Sequence, residues 1–327
     1  MISLLAACIL NPVSFLTFEG TSGPGKGKHI VLLAGDEEYR SEEGLPQLAK
    51  ILATRHGFKC TVLFSLNDKG EIDPNVQTNQ PGLENLAKAD LCIMLLRFRC
   101  WPDSQMKHFV DYFQSGKPII ALRTSTHAFQ YPADSTSPYR RFGWQSREWP
   151  GGFGKQVLGE NWVSHWGNHG SQATRGVAVD PKHSILRGVS ELFGDSDVYE
   201  VAPPSDAQIL VRGQVLLGMN KGDGAATGRK KTAQGVEQGL NEPMMPVVWT
   251  RDYKNDKGLI NRIVTSTMGA ATDLQDENLR RMLVNASLWV LNLPPPARAN
   301  VATVGNYQPS KFGFNSFKKG VKPDDLK

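Results

Sequence analysis

The chain has 327 residues, of which 40% are hydrophobic and 21% are charged, an ordinary composition for a soluble globular protein. Its formal net charge is +5, and much of the basic excess lies near the termini, at Lys26, Lys28, Lys318, Lys319 and Lys322. The sequence has no compact Arg/Lys block and no interleaved aromatic platform, so it gives no support to a nucleic-acid partner.

The first segment of the chain, Met1 to Phe18, is mostly apolar and resembles the hydrophobic region of a secretory signal without its positively charged start. Leu5 to Cys8 also resembles a lipoprotein cleavage box. Asn11 and Pro12 interrupt the apolar run, so we expect no integral membrane span. We predict that residues 1–28 are a signal segment followed by a flexible linker, which covers residues 17–28. We also predict that the protein is exported, to the periplasm or outside the cell.

An acidic stretch, Gly35 to Glu43, follows the first predicted strand, His29 to Ala34. The segment after it predicts a helix that ends at Gly57, with an apolar face made of Leu45, Leu48, Ala49 and Leu52. Asp36, Glu37 and Glu38 precede this helix and have little need to be acidic for its stability. We therefore predict a ligand-binding or catalytic role for these three residues, with Asp36 and Glu37 as the candidate catalytic residues.

The next predicted elements are a strand from Lys59 to Ser65, a short helix from Leu83 to Lys88 and a strand from Leu91 to Leu96. The last of these strands ends at Arg97, which we predict to bind substrate. Asp103 is suited to the N-cap of the following helix. The buried stripe of that helix is predicted to be Met106, Phe109, Val110 and Phe113.

The most informative stretch begins at Gly116, which is placed to end the preceding helix because glycine adopts the left-handed cap conformation without strain. Residues 118–122 form an apolar run typical of a buried parallel strand. Ligands of open α/β sheets bind beyond the carboxyl ends of their strands. For the polar residues that follow this strand, we predict that His127 is catalytic and that substrate is bound by Arg123, Thr124 and Ser125.

A long segment, residues 130–176, then interrupts the alternation and is rich in Gly, Trp and polar residues. Loops of this length are usually functional or disordered. Disorder is disfavoured by four tryptophans, Trp144, Trp149, Trp162 and Trp166. Their rings are suited either to stacking on sugars or to filling a core.

Two histidines of this segment, His165 and His169, are four residues apart. That spacing suits a metal on a helix, but Gly167 and Gly170 argue against a helix here. We predict a catalytic role for His169 and substrate binding by His165 and Trp166, and a divalent metal stays open as a cofactor.

The second half of the chain predicts short strands and one helix, from Asn278 to Leu291. The strands are expected at 197–201, 209–211, 215–219, 246–250 and 260–266. Lys221 to Asn241 is Gly-rich and basic, which predicts a mobile hairpin or lid; its glycines lack the P-loop spacing. Together the elements predict one α/β domain over residues 29–293, with a doubly wound, mostly parallel sheet, and a tail over residues 294–327 that drapes over the surface.

Six segments, taken in order, resemble the ThuA-like (trehalose utilisation) family: GDEEYRSEE, GKPIIALRTSTHAF, HWGNHG, PVVWTRDY, IVTSTMGAATD and LRRMLVNASLWVL. The similarity runs from about His29 to Leu293. It implies a flavodoxin-like fold similar to that of class I glutamine amidotransferases, and a role in bacterial sugar catabolism, including 3-keto-sugar metabolism, often in exported proteins. Many members have histidine where this chain has Ala270, so no role is transferred to that position.

The amidotransferases carry a nucleophilic cysteine at the position that Arg123 occupies here. Guanidinium stays protonated and cannot attack a carbonyl, so we predict no glutamine amidotransferase activity.

Three functions remain open from the sequence. In the first, the protein is an isomerase or lyase that acts on a keto-sugar or related saccharide. A histidine would be the acid or base, a carboxylate of the first loop would orient it, and Arg97 and Arg123 would stabilise an oxyanion. In the second, the same site binds a small carbohydrate without turnover. In the third, the protein is a metal-dependent hydrolase that uses His127, His165, His169 and an acidic residue. A homo-oligomer is compatible with all three.

Overall fold

Apolar strands and amphipathic helices alternate through the first half of the chain in the computed structural model, which describes residues 14–327. The α-helices are α1 (Ser41–His56), α2 (Asp103–Gln114) and α3 (Glu277–Val290). The strands, in chain order, are β1 (Phe15–Phe18), β2 (His29–Gly35), β3 (Lys59–Phe64), β4 (Leu91–Leu96), β5 (Ile119–Leu122), β6 (Ser164–His165), β7 (Thr174–Ala178), β8 (Leu192–Gly194), β9 (Tyr199–Glu200), β10 (Gln208–Val215), β11 (Arg229–Lys231), β12 (Glu237–Gly239), β13 (Met245–Lys254) and β14 (Ile260–Ser266).

Ten strands form one mixed sheet in the order β1-β3-β2-β4-β5-β14-β13-β10-β7-β8. β3, β2, β4, β5 and β14 run parallel to one another, which confirms the predicted adjacency of the strands at 29–34, 91–96 and 118–122. The other pairings are antiparallel. The prediction of a mostly parallel sheet is therefore wrong, because strands joined by hairpins or short loops, such as β13 and β14, pair antiparallel.

Side chains of the central strands alternate between two apolar layers, as the two-residue period of a strand requires. Ile30 and Leu32 face the layer that contains α1 and α3, whereas Val31 and Leu33 face the layer that contains α2. Helices therefore cover both faces of the sheet, and the apolar runs predicted as buried strands are buried.

The segment before β2 is folded against the domain rather than acting as a flexible linker. Phe15–Phe18 pairs with β3 at the edge of the sheet. Gly25 N donates to the carbonyl oxygen of His56 at 2.7 Å, which fixes the following turn to the end of α1. The prediction of a linker over residues 17–28 is corrected accordingly, and most of the predicted signal segment, residues 1–13, lies outside the described residues.

Several local predictions also change. Asp103 begins α2 but is not its N-cap, because Pro102 holds that position and the Asp103 carboxylate accepts a hydrogen bond from Ser137. A single strand, β10, replaces the two predicted at 209–211 and 215–219. The hairpin expected within residues 221–241 is present as β11 and β12.

The C-terminal tail contributes to the domain instead of draping over it. Ala299 and Val301 belong to the apolar layer around α1 and α3. Further along, Ile72 N donates to the carbonyl oxygen of Val321 at 2.8 Å. The predicted domain boundary at residue 293 therefore falls inside the packed structure. Within residues 14–327, no helix is both long enough and apolar enough to cross a membrane.

Candidate functional site

The carboxyl ends of β2, β4, β5 and β14 lie at one edge of the sheet, because these strands are parallel. The loops that leave them begin at Asp36, Arg97, Arg123 and Thr267. Most of the chemistry-bearing residues singled out in the sequence therefore lie at this edge, as expected for an open α/β sheet.

Arg123 begins a sharp turn directly after β5 and has a φ of 41°, a left-handed conformation that non-glycine residues rarely adopt. Its guanidinium donates to the carbonyl oxygens of Asp197, at 2.5 Å, and Thr267, at 2.8 Å. It also donates to the Asp197 carboxylate at 2.8 Å and the Tyr39 hydroxyl at 3.0 Å. These contacts hold the strained turn in place.

The side chain of Arg123 is fully buried, between the rings of Tyr39 and Tyr199. The prediction that Arg123 binds substrate is corrected, because its hydrogen-bonding groups are directed into the protein. The guanidinium joins the β5 turn to the segments around Asp197 and Thr267.

Thr124, Ser125 and Asp36 also serve the fold rather than a ligand. Thr124 donates to the Asp36 carboxylate, whose other oxygen accepts the backbone N–H groups of Glu38 and Tyr39. Ser125 donates to the Met94 carbonyl oxygen at 2.9 Å and accepts from a backbone N–H. All three side chains are buried and use these polar atoms within the fold, which argues against the predicted substrate binding by Thr124 and Ser125 and catalysis by Asp36.

Glu37 lies between two arginines. One of its oxygens accepts from Arg97 at 2.7 Å and the other from the buried Arg99 at 2.9 Å. Burial raises the pKa of Glu37, although Arg99 and Arg97 favour its charged form. The predicted role of Glu37 in orienting a histidine is not what the contacts indicate; it fixes Arg97, whose side chain remains 19% exposed.

Asp197 organises the histidine pair. β6 pairs with β9, with His165 opposite Tyr199, and this pairing brings His165 beside the segment that carries Asp197. His165 Nδ1 lies 2.8 Å from Oδ2 of Asp197, and His169 Nδ1 lies 3.0 Å from Oδ1. The two imidazole rings are 4.7 Å apart.

The charges around Asp197 determine its protonation and that of His169. Burial opposes ionisation of Asp197, but the charge of Arg123 and the hydrogen bonds of His165 and His169 hold its pKa well below the usual range. Hydrogen bonds to Asp197 and to Glu38 raise the pKa of His169 to about 9. Both ring nitrogens of His169 thus contact carboxylates, its Nε2 at 3.3 Å from Glu38.

The contacts therefore give the two histidines different properties. His169 has no free nitrogen lone pair when it is protonated, which argues against the predicted use of His169 as a base. His165 Nε2 has no hydrogen-bond partner among residues 14–327, and the side chain is 36% exposed.

His127 has a different environment from the histidine pair. Its Nδ1 lies 3.1 Å from the Thr126 hydroxyl, and the described residues place no carboxylate against it. Its ring contacts those of Phe98 and Trp162, with centroids 5.1 and 5.8 Å away. Burial, followed by the charges of Arg97 and Arg123, lowers the pKa of His127 well below its usual value. His127 is thus neutral at physiological pH and a weak base.

A continuous series of aromatic side chains lies at this edge of the sheet, and we call it the aromatic rim. Successive ring centroids are 4.7 to 6.5 Å apart along Phe98, Trp144, Trp162, His165, His169 and Phe312. Arg97 links Phe98 to one further aromatic residue, Phe314. Its guanidinium lies 4.3 Å from the ring of Phe98 and 5.0 Å from that of Phe314. The rim therefore comprises the six ring residues above together with Phe314.

Trp166 is not part of the rim. Its side chain is buried in the apolar layer, and its indole N–H donates to the Leu240 carbonyl oxygen at 2.8 Å. The prediction that Trp166 binds substrate is corrected. Of the four tryptophans in the long segment, Trp144 and Trp162 lie on the rim, whereas Trp166 and Trp149 pack elsewhere.

One group of side chains among the described residues is suited to a metal ion: His165, His169 and Asp197. Each offers one ligand atom, and these atoms lie within 4.8 Å of one another. Ligands of a zinc ion lie about 2.0–2.2 Å from the metal, so a small adjustment would bring them into range. The Asp197 carboxylate would have to exchange its hydrogen bonds with the histidines for the metal.

The sequence interpretation missed Asp197, Phe312 and Phe314. Asp197 stood in a predicted strand, and Phe312 and Phe314 stood in a tail thought to lie on the surface. The acidic run after the first strand did mark Glu38, which contacts His169, whereas no local pattern marks Asp197.

A family model described as "ThuA: Trehalose utilisation" matches residues 31–290. A ThuA-like protein from Parabacteroides merdae has a similar structure, with 16% identity, a TM-score of 0.50, and coverage of 83% of this chain and 92% of that one. One from Bacteroides uniformis is also 16% identical, covers 84% and 96% of the two chains, and has a TM-score of 0.45. No protein with a curated description matches the chain. At such identity, the Parabacteroides structure supports the fold alone.

Proposed function

The chain belongs to the ThuA family, which indicates a carbohydrate-related role in trehalose utilisation, and on that basis we propose that it converts a small saccharide at the aromatic rim by proton transfer. The substrate we propose is a keto-sugar or a related saccharide, and the reaction is an isomerisation or an elimination. The observation that carries this proposal is the hydrogen bond between His165 Nδ1 and Asp197, which orients the ring while Nε2 stays free.

The rim is suited to a sugar. Aromatic faces pack against the apolar C–H faces of sugar rings, and ligand sites combine such surfaces with a few polar groups that set orientation. Here Trp144 and Trp162 supply large ring surfaces, and Arg97 supplies donors that its ion pair with Glu37 does not use.

The Asp197 carboxylate, which is hydrogen-bonded to His165, fixes the tautomer of the imidazole that proton transfer requires. With the Nδ1 hydrogen donated to Asp197, Nε2 carries the lone pair and can accept a proton. Arg123 holds Asp197 from its other side, so the carboxylate stays ionised when the imidazole becomes charged. His127, which has no such partner, is a less suitable base.

His165 Nε2 removes a proton from the carbon beside a carbonyl, and the C–H electron pair moves to give an enolate whose oxygen Arg97 stabilises. For isomerisation, the proton from His165 goes to the former carbonyl carbon, and the hydroxyl proton of the adjacent carbon moves to the former carbonyl oxygen, so the carbonyl group changes carbon. For elimination, the enolate electrons expel a leaving group from the next carbon, and the leaving group takes the proton from His165, which gives an unsaturated product.

A metal-assisted reaction is the second candidate, favoured by the proximity of the ligand atoms of His165, His169 and Asp197. A bound divalent cation would act as a Lewis acid toward a carbonyl or a water molecule. Removal of metal with a chelator, followed by addition of Zn²⁺, Mn²⁺ or Mg²⁺, distinguishes the two candidates, because only the second predicts that turnover follows the metal.

The test is incubation of the protein with trehalose, glucose and their 3-keto derivatives, with products identified by NMR. The proposal predicts turnover by the wild-type protein and by His108→Ala, and its loss in His165→Ala. His108 is a suitable control because it is a half-buried histidine on α2, outside the rim. Binding without turnover by the wild-type protein would instead indicate a sugar-binding module.

From the apolar residues 1–18, we also propose that the protein is exported, which cell fractionation would test.

A further inference from the structure

We propose that the C-terminal segment of this chain, residues 306–317, completes the sugar site, and that Phe314 is a stacking surface for one ring of the substrate. We call this segment the C-terminal strap. The inference rests on the proposed function and adds to it a residue that determines affinity.

The strap is fastened to the loops that leave the carboxyl edge of the sheet. The Tyr307 hydroxyl donates to the Ala271 carbonyl oxygen at 2.6 Å, and Ser310 N donates to the Glu43 carboxylate at 2.6 Å. Gly313 N donates to the Glu38 carbonyl oxygen at 2.8 Å, and the Gly313 carbonyl oxygen accepts from Arg40. The strap is therefore held beside the loop after β2, where Glu37 and Glu38 lie.

Two aromatic residues of the strap have opposite environments. Phe312 is only 7% exposed and packs against Tyr39 and His169, with ring centroids 5.3 and 5.5 Å away. Phe314, two residues later, is 53% exposed. Phe312 thus anchors the strap, and Phe314 is presented to solvent beside the site.

Single exposed apolar residues are common on protein surfaces. Phe314 differs because its ring centroid lies 5.0 Å from the guanidinium of Arg97, which also contacts the ring of Phe98. Arg97 is in turn fixed by Glu37. A phenyl ring and a guanidinium side by side offer a sugar both a stacking face and hydrogen-bond donors.

The strap lies outside the part of the chain that the family model matches. The family model ends at residue 290, so the whole strap lies beyond the matched range. The residues that carry the proposed chemistry, His165 and Asp197, lie within that range. We therefore assign to the strap a role in affinity and specificity rather than in the chemical step.

The experiment compares the wild-type chain with Phe314→Leu, Phe314→Tyr and, as a control, Leu217→Ala. Leu217 is also an exposed apolar residue, at 64%, and lies outside the rim. Binding of trehalose and 3-keto-trehalose is measured by isothermal titration calorimetry, and turnover of 3-keto-trehalose gives KM and kcat.

The expected result is a Kd and a KM raised about 3- to 10-fold in Phe314→Leu, with kcat unchanged, because an aromatic contact contributes roughly 0.5–1.5 kcal/mol. Phe314→Tyr keeps the ring and is expected to retain wild-type affinity, as is Leu217→Ala. Equal thermal melting of all four proteins establishes that the changes are local.

Two outcomes would overturn the inference, and they are distinguishable. If the wild-type protein binds sugar and Phe314→Leu binds it equally well, the strap has no role in the site, while the proposed function stands. If the wild-type protein binds neither sugar, the proposed function fails, and the assignment of Phe314 falls with it.

Discussion

The Nδ1 atom of His165 lies 2.8 Å from one oxygen of Asp197, and Arg123 donates to the other oxygen at the same distance. One carboxylate therefore joins a partly exposed imidazole to a fully buried guanidinium. Because the two partners differ in burial, substitutions of His165 and Arg123 should affect activity and stability differently.

Replacing His165 with glutamine should lower turnover of the substrate by about 10²- to 10⁴-fold, the usual loss when an acid–base group is removed. The free energy of unfolding should change by less than about 1 kcal/mol, because the side chain is partly exposed and its hydrogen bond is modest. Steady-state kinetics and urea unfolding measure the two quantities. His108→Gln is the control, and equal turnover by both variants would place the base elsewhere.

Replacing Arg123 with methionine should reduce the free energy of unfolding by about 3–5 kcal/mol, because the buried carboxylate of Asp197 would lose its partner. Urea unfolding of Arg123→Met, Asp197→Asn and the double variant measures the coupling between them. Arg251→Met is a control at an arginine whose partner, Asp206, is exposed. A loss no larger than that of the control would show that the buried pair does not stabilise the fold.

The protein should release no ammonia from glutamine. The turn after β5 retains a left-handed residue, but that residue is Arg123, which is not a nucleophile. Coupled ammonia detection, with the wild-type chain and Cys100→Ala, is the assay, since Cys100 is the one partly exposed cysteine among residues 14–327. Ammonia release that disappears in Cys100→Ala would contradict the prediction.

Much of the fold could be predicted from local patterns in the sequence. The bounds of β4 and β14 were predicted correctly. β4 is a fully buried apolar run bounded by polar residues, and β14 is rich in β-branched residues and follows a turn that contains Gly258. The end of α1 at Gly57 was marked by the need for a left-handed residue there, and Gly57 has a φ of 80°. Such signals depend on neighbouring residues only, so the sequence displays them directly.

The mixed character of the sheet could not be predicted in the same way. Strand direction in β7, β8 and β10 follows from which strands become neighbours, a property of the whole chain. The local period of two residues is the same in parallel and antiparallel strands.

The site was only partly predictable for a similar reason. The polar residues after β5 were identified as a site, but Arg123, Thr124 and Ser125 satisfy buried groups from distant segments. Asp197 lies 74 residues from Arg123 in the chain, and only the folded structure brings the two together. His165 was singled out correctly as a residue of this edge, whereas the carboxylate that orients it was not.

Glu42 gives a prediction about pH. Its side chain is buried, and neither carboxylate oxygen accepts a hydrogen bond from the described residues, although the Arg40 guanidinium lies 3.5 Å away. Burial outweighs the charge of Arg40 and raises the pKa of Glu42 to about 7. An exposed glutamate has a pKa of about 4.3. Between these pH values the folded protein binds more protons than the unfolded chain, so the free energy of unfolding falls as the pH rises through this window.

Glu42→Gln should therefore be more stable than the wild type at pH 8, by up to about 3 kcal/mol, and nearly equal to it at pH 4. Urea unfolding at both pH values, with the exposed Glu84→Gln as control, measures this difference. A stability difference that is the same at pH 4 and pH 8 would mean that Glu42 does not titrate in this window.

The most direct test of the proposed chemistry is hydrogen exchange at the substrate carbon beside the carbonyl. The wild-type protein is incubated with 3-keto-trehalose in D₂O, after treatment with a chelator, and deuterium incorporation is followed by NMR. The account predicts incorporation by the wild-type protein and by His108→Gln, and a rate at least about 100-fold lower in His165→Gln. Equal incorporation by the wild-type protein and His165→Gln, or none above the rate without protein, would contradict it.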